Sequence, residues 1–339
     1  MNREAGHRLL RVLLGQTEWL LFAVVVLFFG LQSPAFLRLE NALNILVQTS
    51  STGILAIGMT FVLLTAGVDL SVGSVMFVTA AVGGRLALEG WPFGGVLLVM
   101  VGIGAACGGL NALFITRFGL LAFVVTLATR FAGRGLGLRI TETRAMNLPE
   151  TFYTLGATRW IGIPLPVLAL ALVAILAHLV LVRTPFGRSV YAVGADALGA
   201  RKAGLRTRTI LCAVYVVCGS CAALAAIVAL SQAPAVSPSF GNNREFMAIA
   251  AAVLGGTSLF GGRGAVLPGT LLGAVLIQTI ENGLNILNVD PYLYPMITGG
   301  VIFAAVLLDA TRNRMLERLS RRKIRPESDD DLPVRPRPA

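Results

Sequence analysis

Stretches of about twenty apolar residues follow one another along almost the whole chain, and no other feature restricts its fold so strongly. A helix needs about 20 mostly apolar residues to cross a bilayer, and inside the hydrocarbon only helices and closed barrels satisfy their backbone groups. A window of about 19 residues places candidate spans near 18–36, 43–65, 72–88, 95–115, 118–138, 163–182, 209–231, 245–259, 266–288 and 294–309. Composition agrees, since 55% of the 339 residues are hydrophobic and 13% charged, against about 25% charged in a soluble domain. The expectation is an all-α, polytopic membrane protein with about ten transmembrane helices and both termini cytoplasmic. Segment 1–17 leads into a transmembrane domain over 18–309, and 310–339 forms a basic, then acidic and Pro-rich tail whose end cannot bury a core and reads as disordered. The first apolar run lacks a small-residue cleavage site and reads as a retained span.

The net charge is +11, and its placement speaks for membrane topology, not nucleic acid. Basic residues cluster at Arg3–Arg11, Arg183–Arg208 and Arg312–Arg325, each beside an apolar span, as the positive-inside bias requires. With the N-terminus inside, Arg38, Arg85, Arg139, Arg144, Arg159 and Arg244 fall outside, Arg130 and Arg134 fall within the fifth span, and the remaining 20 of 28 basic residues lie inside. Basic residues interleaved with aromatics, as a base-stacking surface needs, are absent from the sequence.

Small residues crowd the spans. Gly104 with Gly108, and Gly269 with Gly273, form G-x-x-x-G pairs that let helix backbones approach closely. Cys218 and Cys221 spell C-x-x-C, but within apolar flanks that suit packing and not a redox dithiol. A lone His178 reads likewise as a packing residue. Gly67-x-x-Leu70-x-x-Gly73 is echoed by Gly256-x-x-Leu259-x-x-Gly262.

Polar residues inside spans are expensive, so function is sought there first. Gln48, Thr49, Ser50, Ser51, Thr52 and Gly53 lie mid-span; they either bond back to their own helix or line helix contacts or an aqueous path, where amides and hydroxyls suit a neutral polyhydroxylated solute. Asp69, followed by Ser71, sits at a span–turn–span joint, where its carboxylate can cap exposed N–H groups or serve a pathway. Glu245, Glu281, Asn282 and Asn285 are further candidates for the pathway, and Asn282 with Asn285 is an i, i+3 pair on one helix face.

The glycine-rich 255–264 segment lacks the G-K-[ST] ending of a phosphate loop, so no ATPase site is expected on the chain, and no hydrolase elbow or His–carboxylate cluster suggests a membrane enzyme. The inner loop 183–208 is more informative. Residues 196–203 read as a short helix with Asp196 as N-cap and Gly204 as terminator, carrying Arg201 and Lys202 as a rigid receiver for a soluble partner.

At these residues the sequence resembles a known family. TAGVDLSVGS (65–74), RTPFGRSVYAVGAD with ARKAGL (183–205), and AIAAAVLGGTSLFGGRGAVLPGTLLGA (248–274) are similar, in order, to three signatures of the ribose-type ABC importer permeases. That resemblance implies a bacterial inner-membrane permease subunit passing a monosaccharide. It would pair with a second permease subunit, identical or related, and with cytosolic ATPase subunits that carry ATP and Mg, while a periplasmic or lipid-anchored sugar-binding protein feeds it. It assigns coupling to Gly194, Asp196, Arg201, Lys202 and Gly204. Where the family commonly has Asn-Glu, this chain has Asp196-Ala197, and Pro268 departs from the usual run and is expected to kink the ninth span. The competing reading is an ion-coupled secondary transporter of a small polar solute, for which Glu245 or Glu281 would have to bind the ion.

Overall fold

A computed structural model describes residues 17–301 together with 303, 304 and 307. The expectations for segment 1–16, for the tail and for the placement of both termini lie outside the described residues. The chain runs through α1 (Thr17–Gln32), α2 (Leu39–Leu64), α3 (Val72–Leu88), α4 (Phe93–Arg117), α5 (Ala122–Ile140), α6 (Glu150–Ala157), α7 (Leu165–Arg183), α8 (Pro185–Ala195), α9 (Ala197–Lys202), α10 (Thr207–Gln232), α11 (Arg244–Leu254) and α12 (Leu271–Ile286), and residues 294–301 are again helical. Sheet is confined to two-residue pairs. β1 (Met146–Asn147) runs antiparallel to β4 (Ala235–Val236), and β2 (Arg159–Trp160) to β3 (Ile163–Pro164). Among the described residues α2, α4, α7 and α10 are long and apolar enough to cross a membrane, which makes this a multi-pass membrane protein.

The core is a sandwich of α2, α10 and α4, and small residues make it possible. Any side chain at Gly104 would strike the Gly219 carbonyl, and any at Gly108 the Tyr215 carbonyl, so both halves of the expected G-x-x-x-G pair lie at the α4–α10 crossing. On the other side of α10, Gly58 of α2 sits against Cys218 and Cys221, which places the C-x-x-C pair in packing. These contacts and the Gln232 Nε2 to Val47 carbonyl bond of 2.8 Å run α10 antiparallel to both neighbours. We call the end holding Leu64, Arg117 and Thr207 the lower end.

Two helices start part-way through the bundle. α3 begins deep in the bundle, since Ser71 bonds to Asn111, six residues or about 9 Å above the end of α4. The chain therefore passes Leu64 and climbs back inside as a non-helical segment before α3 starts. α11 does the reverse. The segment after β4 descends from the upper end without helical structure, and α11 starts where Arg244 meets Thr52, twelve residues or about 18 Å above the end of α2. The starts of the two half-helices meet, because a side chain at Gly73 would strike both the Gly241 carbonyl and Glu245 Oε2. The eighth expected span, 245–259, is thus a helix of 11 residues, about 16 Å long, followed by a loop. Arg244, placed outside by the charge count, lies within the bundle.

Non-helical backbone at membrane depth must be satisfied by protein groups, and this accounts for charge in the fifth span. Arg134 of α5 donates to the carbonyls of Phe240 at 2.5 Å and Pro238 at 2.7 Å, with its guanidinium 4.5 Å from the centre of the Phe77 ring. Arg130, one turn earlier, pairs with Glu245 at 2.7 Å.

The ninth expected span is interrupted near Pro268. Leu267 leaves helical geometry (φ −114°, ψ 131°) inside Val266–Thr270, and the regular helix starts only at Leu271. Gly269 and Gly273 press on Gly255 and on the Ala251 carbonyl, clamping α12 to α11. The segment between α5 and α7 is partly folded. Its α6 buries Phe152 against Phe93 of α4, with ring centres 5.1 Å apart.

Candidate coupling surface and solute pathway

The expected inner loop is two helices. α8 starts at Pro185, with its nitrogen in the first turn where no donor is needed, and Thr184 Oγ1 accepts from the Gly187 N–H at 3.2 Å. Asp196 then caps α9, its Oδ1 accepting from the N–H groups of Leu198 and Gly199, both at 3.0 Å. The chain leaves α9 through Gly204 at φ +86°, a left-handed conformation that suits glycine. The short helix thus starts and ends as the sequence indicates, while α8 before it was not anticipated. Arg201, Lys202 and Gly204 are exposed, and Leu198 is 72% exposed.

Gly194 has a different place from its four companions. It is buried where α8 crosses the end of α2, and a side chain there would strike the Leu64 carbonyl and the Gly262 nitrogen. The Gly262 N–H donates to the same Leu64 carbonyl at 3.0 Å. Tyr191 adds a second tie, its hydroxyl donating to the Gly264 carbonyl at 2.8 Å; burial pushes this phenol up from its usual range and keeps it a donor. The joint after α2, the α8–α9 pair and the glycine-rich loop therefore form one cluster at the lower end. The two G-x-x-L-x-x-G echoes each follow a helix that ends there.

Asp69 lies just above this cluster and is buried. Its Oδ1 accepts from the Ser71 N–H at 2.9 Å and the Ser71 hydroxyl at 2.6 Å, Asn111 Nδ2 donates to Ser71 Oγ at 2.8 Å, and Thr129 Oγ1 donates to Asn111 Oδ1 at 2.6 Å. The chain of bonds ties the start of α3 to α4 and α5. The Asp69–Ser71 bonds form a turn just ahead of α3, whose N-cap residue is Ser71 itself.

The mid-span polar run divides by face. Thr49 and Ser50 bond back to the carbonyls of Ile45 and Leu46, and Ser51 crosses to the Ala225 carbonyl at 2.8 Å. Gln48 and Thr52, one turn apart, point elsewhere. Gln278 Nε2 donates to Gln48 Oε1 and to Glu281 Oε2, each at 3.1 Å, and Arg244 Nη1 donates to Thr52 Oγ1 at 3.1 Å. Arg244 and Glu281 line a cleft of about 560 Å³ between α11, α12 and the helix from 294. Of the other candidates, Glu245 is 1% exposed and held by Arg130, Asn282 is buried, and Asn285 is exposed. The i, i+3 pair thus does not share one environment.

Residues 41–306 match the family described as "Branched-chain amino acid transport system / permease component". The chain belongs to this family. It is 34% identical over 313 residues to the ribose import permease of Haemophilus influenzae, covering 91% of this chain and 97% of that one. It is 36% identical over 292 residues to the D-allose transport system permease of Escherichia coli (85% and 89% covered). To the xylose transport system permease of Escherichia coli it is 31% identical over 360 aligned positions (87% and 91%). No solved structure matches.

Sequence reasoning missed several residues in these regions of the permease. Arg244 was counted as a loop charge, Gln278 was passed over in its apolar helix, and Phe260, 89% exposed in the glycine-rich loop beside α8, read as one more apolar residue. Distance along the chain conceals Arg244 and Gln278, since each takes a partner from α2, some two hundred residues away.

Proposed function

We propose that the chain is the membrane-spanning subunit of an ATP-driven sugar importer, a transport subunit without its own ATPase site, acting in a bacterial inner membrane. The observation that carries this reading is the lower-end cluster, where Leu198 is exposed on α9 with Arg201 and Lys202, and Phe260 is exposed in the glycine-rich loop that packs on the end of α8, all on a scaffold anchored to the end of α2. An apolar knob rimmed by charge is the make-up of a protein interface. Its occupant is a cytosolic ATPase subunit, whose closure pushes on α8 and α9. The names and coverage of the relatives support the sugar class. About ten spans with the boundaries 1–17, 18–309 and 310–339, a second permease subunit and an outer sugar-binding protein complete the proposed assembly. An ion-driven carrier would need an intramembrane carboxylate to bind its ion, and with Glu245 engaged by Arg130 that role would fall to Glu281, which is hydrogen-bonded to Gln278.

The test is purification from membranes that express the neighbouring reading frames, followed by uptake in proteoliposomes. An ATPase subunit should co-elute, and labelled sugar should enter only with ATP. A chain that stays alone in mild detergent and moves solute on an ion gradient would overturn the reading.

A further inference from the structure

The cleft between α11, α12 and the helix from 294 has the chemistry of a site for a solute. Its volume of about 560 Å³ lies in the range of roughly 300–1,000 Å³ usual for small-molecule sites. Its polar groups come from separate elements and converge. Arg244 sits at the start of α11, Glu281 reaches in from α12, and Asn243 precedes α11. The guanidinium spends one donor on Thr52 and the carboxylate one oxygen on Gln278, which leaves donors and an acceptor to spare. Among the described residues the two charges form no direct salt bridge. Thr298 supplies an independent sign. It lines the cleft, is 4% exposed, and its hydroxyl has no hydrogen-bond partner among the described residues, although a buried hydroxyl normally has one.

The charges narrow the solute to one without net charge. One cation and one anion give the cleft no net charge, so neither a sugar phosphate nor a cation gains from entering it. What the cleft offers is a mixture of strong donors and strong acceptors, with the apolar faces of Phe246 and Tyr294 beside them. A polyhydroxylated ring, in which every hydroxyl both donates and accepts, uses all of these groups at once. We propose that the cleft is a transient binding site for a neutral polyhydroxylated solute crossing the permease, held by Arg244 and Glu281. The inference rests on the sugar-import reading and adds where the sugar stops and what holds it. It also assigns a reason for the position of α11. By starting half-way through the bundle, that helix brings Arg244 to mid-depth, opposite Gln48 and Thr52.

The test uses the full chain with its co-purified subunits in proteoliposomes. In an Asn243→Cys variant, alkylation at position 243 is followed by mass spectrometry, so the native cysteines do not interfere. High millimolar D-ribose, D-xylose or D-allose should slow that alkylation, while L-leucine and ribose 5-phosphate should not. Adding Glu281→Gln should weaken the protection about tenfold, the loss expected for one charge-assisted hydrogen bond, and Glu281→Asp should restore part of it at equal membrane yield. No protection by any of the three sugars, or stronger protection by leucine, overturns the site. A complex that imports sugar yet shows no protection refutes this site alone; a complex that imports none refutes the reading beneath it.

Discussion

Removing the guanidinium of Arg130 should cost the fold far more than neutralising the carboxylate it holds. The pair is closed at 2.7 Å, with the Glu245 side chain 2% exposed and that of Arg130 28% exposed. Taking away one partner of a buried pair costs about 3–5 kcal/mol, because the other charge is left in a medium that cannot solvate it. Arg130→Met strands Glu245 between the starts of α3 and α11, where Gly73 presses on it. Arg134, one turn away, still faces the carboxylate and places the cost at the low end, about 3 kcal/mol, or roughly a hundredfold in the unfolding equilibrium. Glu245→Gln leaves the charge on the less buried partner, which keeps the Phe246 ring 5.4 Å away, so its cost is about 1 kcal/mol. The double variant strands nothing and should match Glu245→Gln, which makes the coupling about 3 kcal/mol. The assay is denaturant titration in mixed micelles with a thiol-reactive dye, for which the buried Cys218 and Cys221 report unfolding. Equal losses from Arg130→Met and Glu245→Gln, or a double variant that sums them, would refute the account of Arg130 as counter-ion.

Other expectations follow from the lower end and the core. Reversing Arg201 and Lys202 to Glu should leave the folded yield intact, since both are exposed, while separating ATP hydrolysis from uptake; unchanged uptake would remove them from coupling. Asp196→Ala frees two N–H groups of α9 and should cost about 1 kcal/mol locally, visible as faster amide exchange at Leu198 and Gly199. Gly108→Ala drives a methyl into the Tyr215 carbonyl and should destabilise the α4–α10 crossing by about 1–3 kcal/mol, read in the same titration. Asp69→Ala breaks the bonds to Ser71 and should lower membrane yield; normal yield with lost transport would reassign Asp69 to the pathway.

What could be read directly from the sequence was whatever is encoded locally. Apolar length located α2, α4, α7 and α10 within a few residues, and Asp196 and Gly204 marked the ends of α9 because a cap and a left-handed exit act within one turn. The half-helices were not legible in the same way. The windows over 72–88 and 245–259 are as apolar as a full span, and what shortens α11 is backbone that descends from the upper end and is satisfied by Arg134, over a hundred residues away. The same charge that looks anomalous within an apolar helix is the donor that makes a non-helical segment tolerable at that depth. Intramembrane arginines that a hydropathy scan treats as noise are therefore pointers to broken backbone elsewhere in the fold.

On the proposed reading, a push at the lower end would reach the cleft through α2. α2 ends at the Leu64 carbonyl, where the Gly262 N–H bonds and Gly194 brings α8 into contact, and the same helix carries Thr52 and Gln48 to Arg244 and Gln278. Twelve residues of continuous helix, about 18 Å, separate the two sets of contacts. Along that length α2 is packed against α10 at Gly58 with no room for a side chain, so it moves as a rod or not at all. A bulky residue at Gly194 should therefore act at a distance. Gly194→Val, by prising α8 from Leu64, should change the protection of position 243 by sugar although nothing near 243 is altered, whereas Arg201→Glu, on the outer surface of α9, should leave that protection as it was. If both variants leave protection unchanged, the lower end and the cleft are not joined through α2.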